Sequence, residues 1–441
     1  MKKLLIILLA LIVAAIAGLP YVNGVITQKI VTAAFEDINR MNADTGSEIR
    51  VEIIDYDRGI SDSRIEWRMD FGNMGKAFGL DEVLFVENAT HGFFGVASET
   101  RLEKNKWFED WVAARQDGKN PLTIHTRYPA FGPITSNIRL DKLLFQSDGE
   151  TLNVGALEFT ALVDRKLNTL SSKGKWDGVS EGESVHVGPM TLEAAYSRVT
   201  DMIWEGQGAI RLEKAKITDQ SEVMNCSGLV MDFDTRASED KTRLSMDMGV
   251  ALDTIVIEGR PFSDWSFRWG IDHIDIPAYE SIVTLYSEIM NRVFSQAEKT
   301  SFSAEEINKM MIQAMAQNSA RLMAEAEKLL KKDFQIRVSE LNVSLPQGRV
   351  EGSLALGLKK DMTMAQFFPL TAQPSLALDI FFLKSDVRLT EALAGHIPNL
   401  IQPIFPGMKT GLFVKEGTDL LHRAETRDSR LFLNGEEVSL D

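Results

Sequence analysis

The sequence predicts a mainly β (α+β) protein: large, curved antiparallel meander sheets, two or three packed amphipathic helices, and an N-terminal membrane helix. Three observations predict it. Many segments alternate apolar and polar residues with a period of two, the mark of strands with one dry and one wet face. Several of these segments slip phase partway along. One uncharged apolar run, Leu4–Leu19, opens the chain behind Lys2 and Lys3.

The N-terminal segment has two readings. A basic start, a short apolar region and Ala15-Ile16-Ala17 meet the needs of a cleaved signal peptide. The apolar stretch nevertheless continues to Ile26, interrupted only by Asn23, and Lys29 is the first charge after it. That length suits a helix crossing roughly 30 Å of hydrocarbon, so residues 1–26 are expected to be a signal anchor. Lys2 and Lys3 hold that end in the cytoplasm by the positive-inside rule. Both readings place the body outside the cytoplasm. Cys226 is the only cysteine, so no internal disulfide exists, and a buried, inert thiol is expected there.

Residues 27–276 read as an antiparallel β region. In Ile65, Trp67, Met69 and Phe71 the apolar residues alternate with Arg64, Glu66, Arg68 and Asp70. Leu244, Met246, Met248, Val250 and Leu252 repeat the pattern, as do Trp265, Phe267, Trp269 and Ile271. One-faced alternation favours antiparallel pairing, since parallel sheets bury both faces. The phase changes after Leu252 (to Ile255 and Ile257) and after Ile271 (to Ile274 and Ile276). Each slip implies a bulge, and repeated bulges curve a sheet.

Residues 277–332 read as a helical insert. Pro277 starts one helix, with Tyr279, Ile282, Val283, Tyr286, Ile289, Met290 and Val293 on its apolar side. Ser303 with Glu306 forms a capping box for a second, expected from Ala304 to Lys332. Residues 333–441 return to strands, expected over Phe334–Leu345 with a slip after Glu340, over Val350–Leu358 and over Leu376–Phe382. A short helix is expected over Leu389–Leu400, and this region should pack on the same body. No flexible linker tract separates these parts.

Composition narrows function. Apolar residues make up 44% and charged ones 25%, ordinary for a folded protein. The net charge of −15 argues against nucleic acid as a partner and against a binding face for anionic lipid headgroups. Gly178-Val179-Ser180-Glu181-Gly182 matches the pattern of a hydrolase nucleophile elbow, but the flanking residues read as a hairpin rather than strand-turn-helix. The histidines 91, 125, 186, 273, 396 and 422 are scattered and lack metal-ligand spacing. No catalytic residue, metal site or cofactor is therefore assigned. Of the 18 methionines, Met311, Met315 and Met323 share one helix stripe and are the candidates to line an apolar ligand.

Three short motifs remain. They are Tyr56-Asp57-Arg58-Gly59 with Ser61 and Ser63, His91-Gly92-Phe93-Phe94, and Leu433-Asn434-Gly435. Together with the N-terminal segment, their order resembles the YdgA-like family, a bacterial family of unknown function (DUF945). Phe93 stands where that family usually carries proline. The resemblance implies an inner-membrane-anchored periplasmic protein and transfers no catalytic residue. Physically these motifs are turn chemistry: Gly59 lets the chain reverse, Arg58 is free to meet a strand carboxylate, and Asn434-Gly435 is a two-residue hairpin signal. His91 with Gly92 reads as a hydrogen-bonded turn or as a binding site.

The expectation is a membrane-anchored, non-enzymatic protein with its bulk in the periplasm, binding lipid or another apolar ligand along a curved sheet. The alternatives are an envelope scaffold with a sealed core, and a hydrolase using Ser180 or His91.

Overall fold

The computed structural model describes residues 2–77, 82–105, 108–109, 119–147, 150–182, 184–219, 222–257, 259–297, 304–394 and 411–439. Strands dominate them and pair antiparallel. The chain divides into two compact units. The first comprises Met1–Gly182, Thr191–Trp204 and Thr284–Gln317; the second comprises Glu183–Met190, Glu205–Val283 and Asn318–Asp441.

The first unit is built on six successive strands: β1 (Arg50–Arg58), β2 (Asp62–Asp70), β3 (Glu82–Gly92), β4 (Gly95–Leu102), β5 (Leu122–Pro129) and β6 (Ile134–Leu140). Each pairs with the next, and β6 then pairs with Leu157–Val163. Ile65, on the dry face of β2, is completely buried. Trp67 beside it stacks on Phe85 at 3.9 Å between ring centroids and meets Phe35 edge-on.

Phe35 belongs to helix α1, Lys2–Asp44. Asn39 on α1 brackets Val51 of β1, accepting from its N–H at 2.8 Å and donating to its carbonyl at 2.7 Å. A helix side chain thus satisfies part of an edge strand that would otherwise offer itself for pairing. Asn23, Thr27 and Val31 are buried at helical spacing, so this half of α1 is a core helix. The side chains of residues 2–17 lie outside the described residues. Among those described, no helix is long and apolar enough to cross a membrane.

The second unit runs through long strands paired in chain order: Trp204–Asp219, Glu222–Ala237, Arg243–Ile257, Arg260–Asp275, Gln335–Leu345, Gly348–Leu358, Phe381–Thr390 and Asp419–Arg427. The phase slips fall where its ladders are irregular. Register shifts between Val338 and Leu341, and between Leu244 and Met246, where His273 on the facing strand has φ 60°. At Leu252–Ile255 the register is kept, but pairing lapses between Ala251 and Thr254, opposite Gly228 with φ 66°. Compact apolar clusters, Leu389 with Phe413 and Leu420, and Leu358 with Met362 and Ile380, sit near strand ends.

Several local expectations need correction. The helix expected over Ala304–Lys332 is two helices, Ala304–Gln317 and Ser319–Glu327, broken at the buried, non-helical Asn318. Ser303 lies outside the described residues. Residues Pro374–Ile380 form helical turns rather than a strand, because Pro374 sits at the first helical position. The strand that follows, Phe381–Thr390, absorbs Leu389, and only Glu391–Ala394 is helical after it. The remainder of the expected Leu389–Leu400 helix, with His396, lies outside the described residues. The Pro277 helix forms over Ile276–Ala297, but it buries Ala278, Leu285, Ile289 and Val293 while Tyr286 stays 45% exposed. Cys226 is half-buried rather than buried.

Candidate functional site

The dry face of the first unit is not purely apolar. On β3, Glu87 and His91 occupy the same phase as Val83, Phe85 and Ala89, and both are buried. Ser98 and Thr100 on β4, Thr126 on β5 and Ser63 on β2 share that face and are buried too. Neighbouring strands therefore place a polar cluster under α1.

Two of the sequence motifs meet there. His91 Nε2 lies 2.8 Å from Ser63 Oγ, and Nδ1 lies 3.2 Å from the carbonyl of Ile60 in the turn that Gly59 begins. With the proton on Nδ1, the imidazole donates to Ile60 and accepts from the Ser63 hydroxyl. That is the relation between a base and a nucleophile in acyl-transfer enzymes. Here it is closed off. Ser63 and His91 are each only 5% exposed, and Gly24 of α1 presses on the ring: a β-carbon there would fall 2.3 Å from Cε1. An incoming carbonyl needs room about 3 Å from the nucleophile. The pair instead pins the β1–β2 turn to β3, and Asn23 pins α1 beside it by donating to the Gly92 carbonyl at 2.7 Å.

Glu87 is the unexpected member. Burial, the largest effect, raises its pKa, and the neighbouring hydroxyls of Ser98, Tyr128 and Thr100 draw it part of the way back. Tyr128, 3.4 Å from Glu87 Oε1, is pushed well above the ordinary phenol range by burial and by the Glu87 charge. The Tyr56 hydroxyl is buried as well, and burial, the largest effect, raises its pKa. The mark of Glu87 in the sequence is a carboxyl on the apolar phase of the β3 alternation. Among the described residues Arg58 forms no ion pair with a carboxylate. Its guanidinium lies over the Tyr21 ring at 4.7 Å from the centroid.

The central apolar face of the second unit is left partly open, although Leu244 and Leu252 near its ends are buried. Three apolar rows cross its long strands: Met231, Val250, Phe267 and Leu341; Phe233, Met248, Trp269, Val338 and Leu354; and Met246, Ile271, Ile336 and Leu356. None of these side chains is buried, and Ile336, Leu354 and Leu356 are 49%, 42% and 43% exposed. The opposite face carries the charges, yet Asp247 is only 8% exposed.

Glycines explain this. At Gly249 a β-carbon would fall 2.5 Å from Asp232 Oδ2, and at Gly270 one would fall 2.7 Å from Asp247 Oδ1. The bare strands let charged side chains lie flat across them. Arg268 grips both oxygens of Asp232 at 2.6 and 2.9 Å, while Arg337 bridges Asp272 and Asp247 at 2.7 Å each. Hydrogen bonding to Asp232 and to Asp272 raises the pKa of Arg268 and of Arg337 respectively.

The remaining candidates stand apart. Asn434 and Gly435, at φ 52° and 86°, form the two-residue turn between Arg430–Leu433 and Glu436–Val438. Asn434 Oδ1 also accepts from the N–H of Arg423 at 2.8 Å. Met311 and Met315 belong to the first unit and are half-buried, whereas Met323 belongs to the second and is 60% exposed. Ser180 sits in a short strand paired with Leu152–Val154, and a further strand, not a helix, comes next. Among the described residues no group of three or more His, Cys, Asp or Glu could hold a metal ion.

These features define a large antiparallel β protein with a helix-roofed polar cluster in one unit and an open apolar sheet face in the other. The chain belongs to the family described as "Bacterial protein of unknown function (DUF945)", whose model matches residues 1–441. No curated protein and no solved structure matches it.

Proposed function

We propose that the protein is a non-enzymatic binder of acyl chains, anchored by its N-terminal segment to the inner membrane with its bulk in the periplasm. The observation that carries this reading is the central apolar face of the second unit. Five adjacent strands at about 4.8 Å spacing make the Phe233–Leu354 row roughly 19 Å long, comparable with an extended acyl chain. Leaving these side chains half-exposed forgoes about 0.8 kcal/mol for each methylene-sized group not removed from water. A hydrocarbon ligand laid along the row would recover that contribution. The charged face is closed by its own ion pairs, so the apolar face is where a ligand finds unfilled affinity. The N-terminal basic and apolar segment supports the address.

The test uses the full-length protein in cells. A photo-crosslinking amino acid at Leu354 should capture lipid, whereas one at Ser353, on the opposite face, should not. Leu354→Asp should lose lipid that co-purifies with the intact protein. Equal lipid capture at both positions refutes the reading; capture of a protein at Leu354 instead supports a scaffold.

A further inference from the structure

We infer that the hairpin tips at one end of the first unit form a second membrane contact, inserting into the interfacial layer of the bilayer beside the N-terminal helix. This rests on the anchoring part of the proposed function and is independent of the acyl-chain face.

The large apolar residues at these tips are among the most exposed in the protein. Ile60 in the β1–β2 turn is 72% exposed, Phe93 and Phe94 in the β3–β4 turn 51% and 89%, and Phe131 in the β5–β6 turn 92%. Packing does not explain three phenylalanines projecting into water at the tips of tight turns. Clustered exposed apolar groups of this kind mark interaction surfaces.

Hydrogen bonds place the tips together. The N–H of His91 donates to the Ser61 carbonyl at 2.7 Å, and that of Ala130 donates to the Phe94 carbonyl at 2.7 Å. The turns therefore line one rim of the sheet, as alternate hairpins of a meander must.

Helix α1 reaches the same rim. At its C-terminal half Asn39 brackets Val51, near the start of β1. At Asn23 it holds the carbonyls of Gly92 and Phe93, at 2.7 and 3.1 Å. The helix thus runs along the strands toward the tips, and Leu19, Tyr21 and Val22 emerge there 40%, 45% and 47% exposed. The apolar run Leu4–Leu19 precedes them, about 24 Å of helix at 1.5 Å per residue. A bilayer that receives this run meets the rim first.

The polar groups at the rim suit that partner. Arg58 stacks on Tyr21, and Arg165 donates to the carbonyl of Pro129. Exposed aromatic rings flanked by amphipathic arginines are what the interfacial layer of a bilayer takes up. Asp57, Asp62 and Asp164 stand at the same rim and the net charge is −15, so the exposed aromatic rings, not attraction to anionic headgroups, carry the contact.

The experiment places an environment-sensitive fluorophore on single cysteines in a Cys226→Ser background of the full chain. The protein is reconstituted in vesicles of phosphatidylethanolamine and phosphatidylglycerol with a spin-labelled quencher lipid. The labelled sites are Phe94→Cys at the rim, Leu8→Cys in the apolar run, and Glu52→Cys about 20 Å back along β1. Quenching at Phe94 and Leu8 with none at Glu52 is expected. An added Ile60→Ser and Phe131→Ser pair, both highly exposed and so compatible with folding, should diminish the Phe94 quenching. Quenching at Leu8 alone overturns the rim contact and leaves the anchor standing. Loss at both sites overturns the anchor together with the contact. Quenching at Phe94 that ignores the paired serines also overturns the rim contact as drawn.

Discussion

Replacing Gly24 with alanine would usually stabilise a helix by about 1 kcal/mol. Here the opposite is expected. The new β-carbon would fall 2.3 Å from Cε1 and 2.5 Å from Nδ1 of His91, so α1 must lift or the ring must turn. Overpacking of this kind costs about 1–3 kcal/mol. Turning the ring also breaks the 2.8 Å contact with Ser63, which contributes about 1 kcal/mol. Setting the helix gain against these terms leaves a net loss of about 1–3 kcal/mol. Each kcal/mol lowers Tm by roughly 2–4 °C in a unit of this size. Gly18→Ala on the same helix meets nothing within 4 Å and should show no loss. Thermal unfolding of both variants, followed by circular dichroism on the full-length protein, measures the difference. The Gly24→Ala, His91→Ala pair should cost less than the sum of its parts, because removing the ring makes room for the methyl. A Gly24→Ala protein as stable as the parent, or strictly additive costs in the pair, would refute the clamp.

Three further outcomes follow from the same geometry. Burial raises the Glu87 pKa, so the folded state holds that proton more tightly than the unfolded chain does. The stability this contributes is full below the unfolded value of about 4.3 and is lost as pH rises through the raised folded value. Glu87→Gln should accordingly gain on the parent as denaturation is measured at increasing pH; a gap independent of pH contradicts the assignment. Asp247→Asn leaves Arg236 and Arg337 without their shared carboxylate. It should lower the denaturant midpoint by an amount equivalent to about 1–3 kcal/mol, less than a fully buried pair would because Arg236 is largely exposed. Asn434→Ala must hold a left-handed backbone at φ 52° and loses the bond to Arg423. A loss of about 2 kcal/mol is expected by the same measurement, and a change near zero would mean that the turn is dispensable.

Legibility was uneven, for physical reasons. Alternation announced the strands of both units because period two is local and survives any tertiary arrangement. Phase slips after Ile271 and Glu340 marked real register shifts for the same reason. Asn434-Gly435 announced its turn because few other residue pairs accept that backbone. The motifs at Tyr56–Gly59 and His91–Gly92 were visible one by one, but their meeting through Ser63 was not, since hydrogen bonds between strands have no trace in local spacing. The helix break at Asn318 and the helical turns before Phe381 leave no local mark, because amphipathic and alternating patterns overlap over short stretches.

The amino-acid sequence alone determined the strand-rich class, the apolar and polar phases of the strands, the chief turns and the apolar character of the N-terminal run. Each depends on neighbours a few residues away. Only the tertiary structure decided which phase water reaches. It folded arginines flat over Gly249 and Gly270 and so hid Asp247, while Trp269, Val338 and Leu354 stayed half-exposed. It also roofed Glu87 and His91 with α1. Burial is set by what packs from elsewhere in the chain, and periodicity carries no record of that partner.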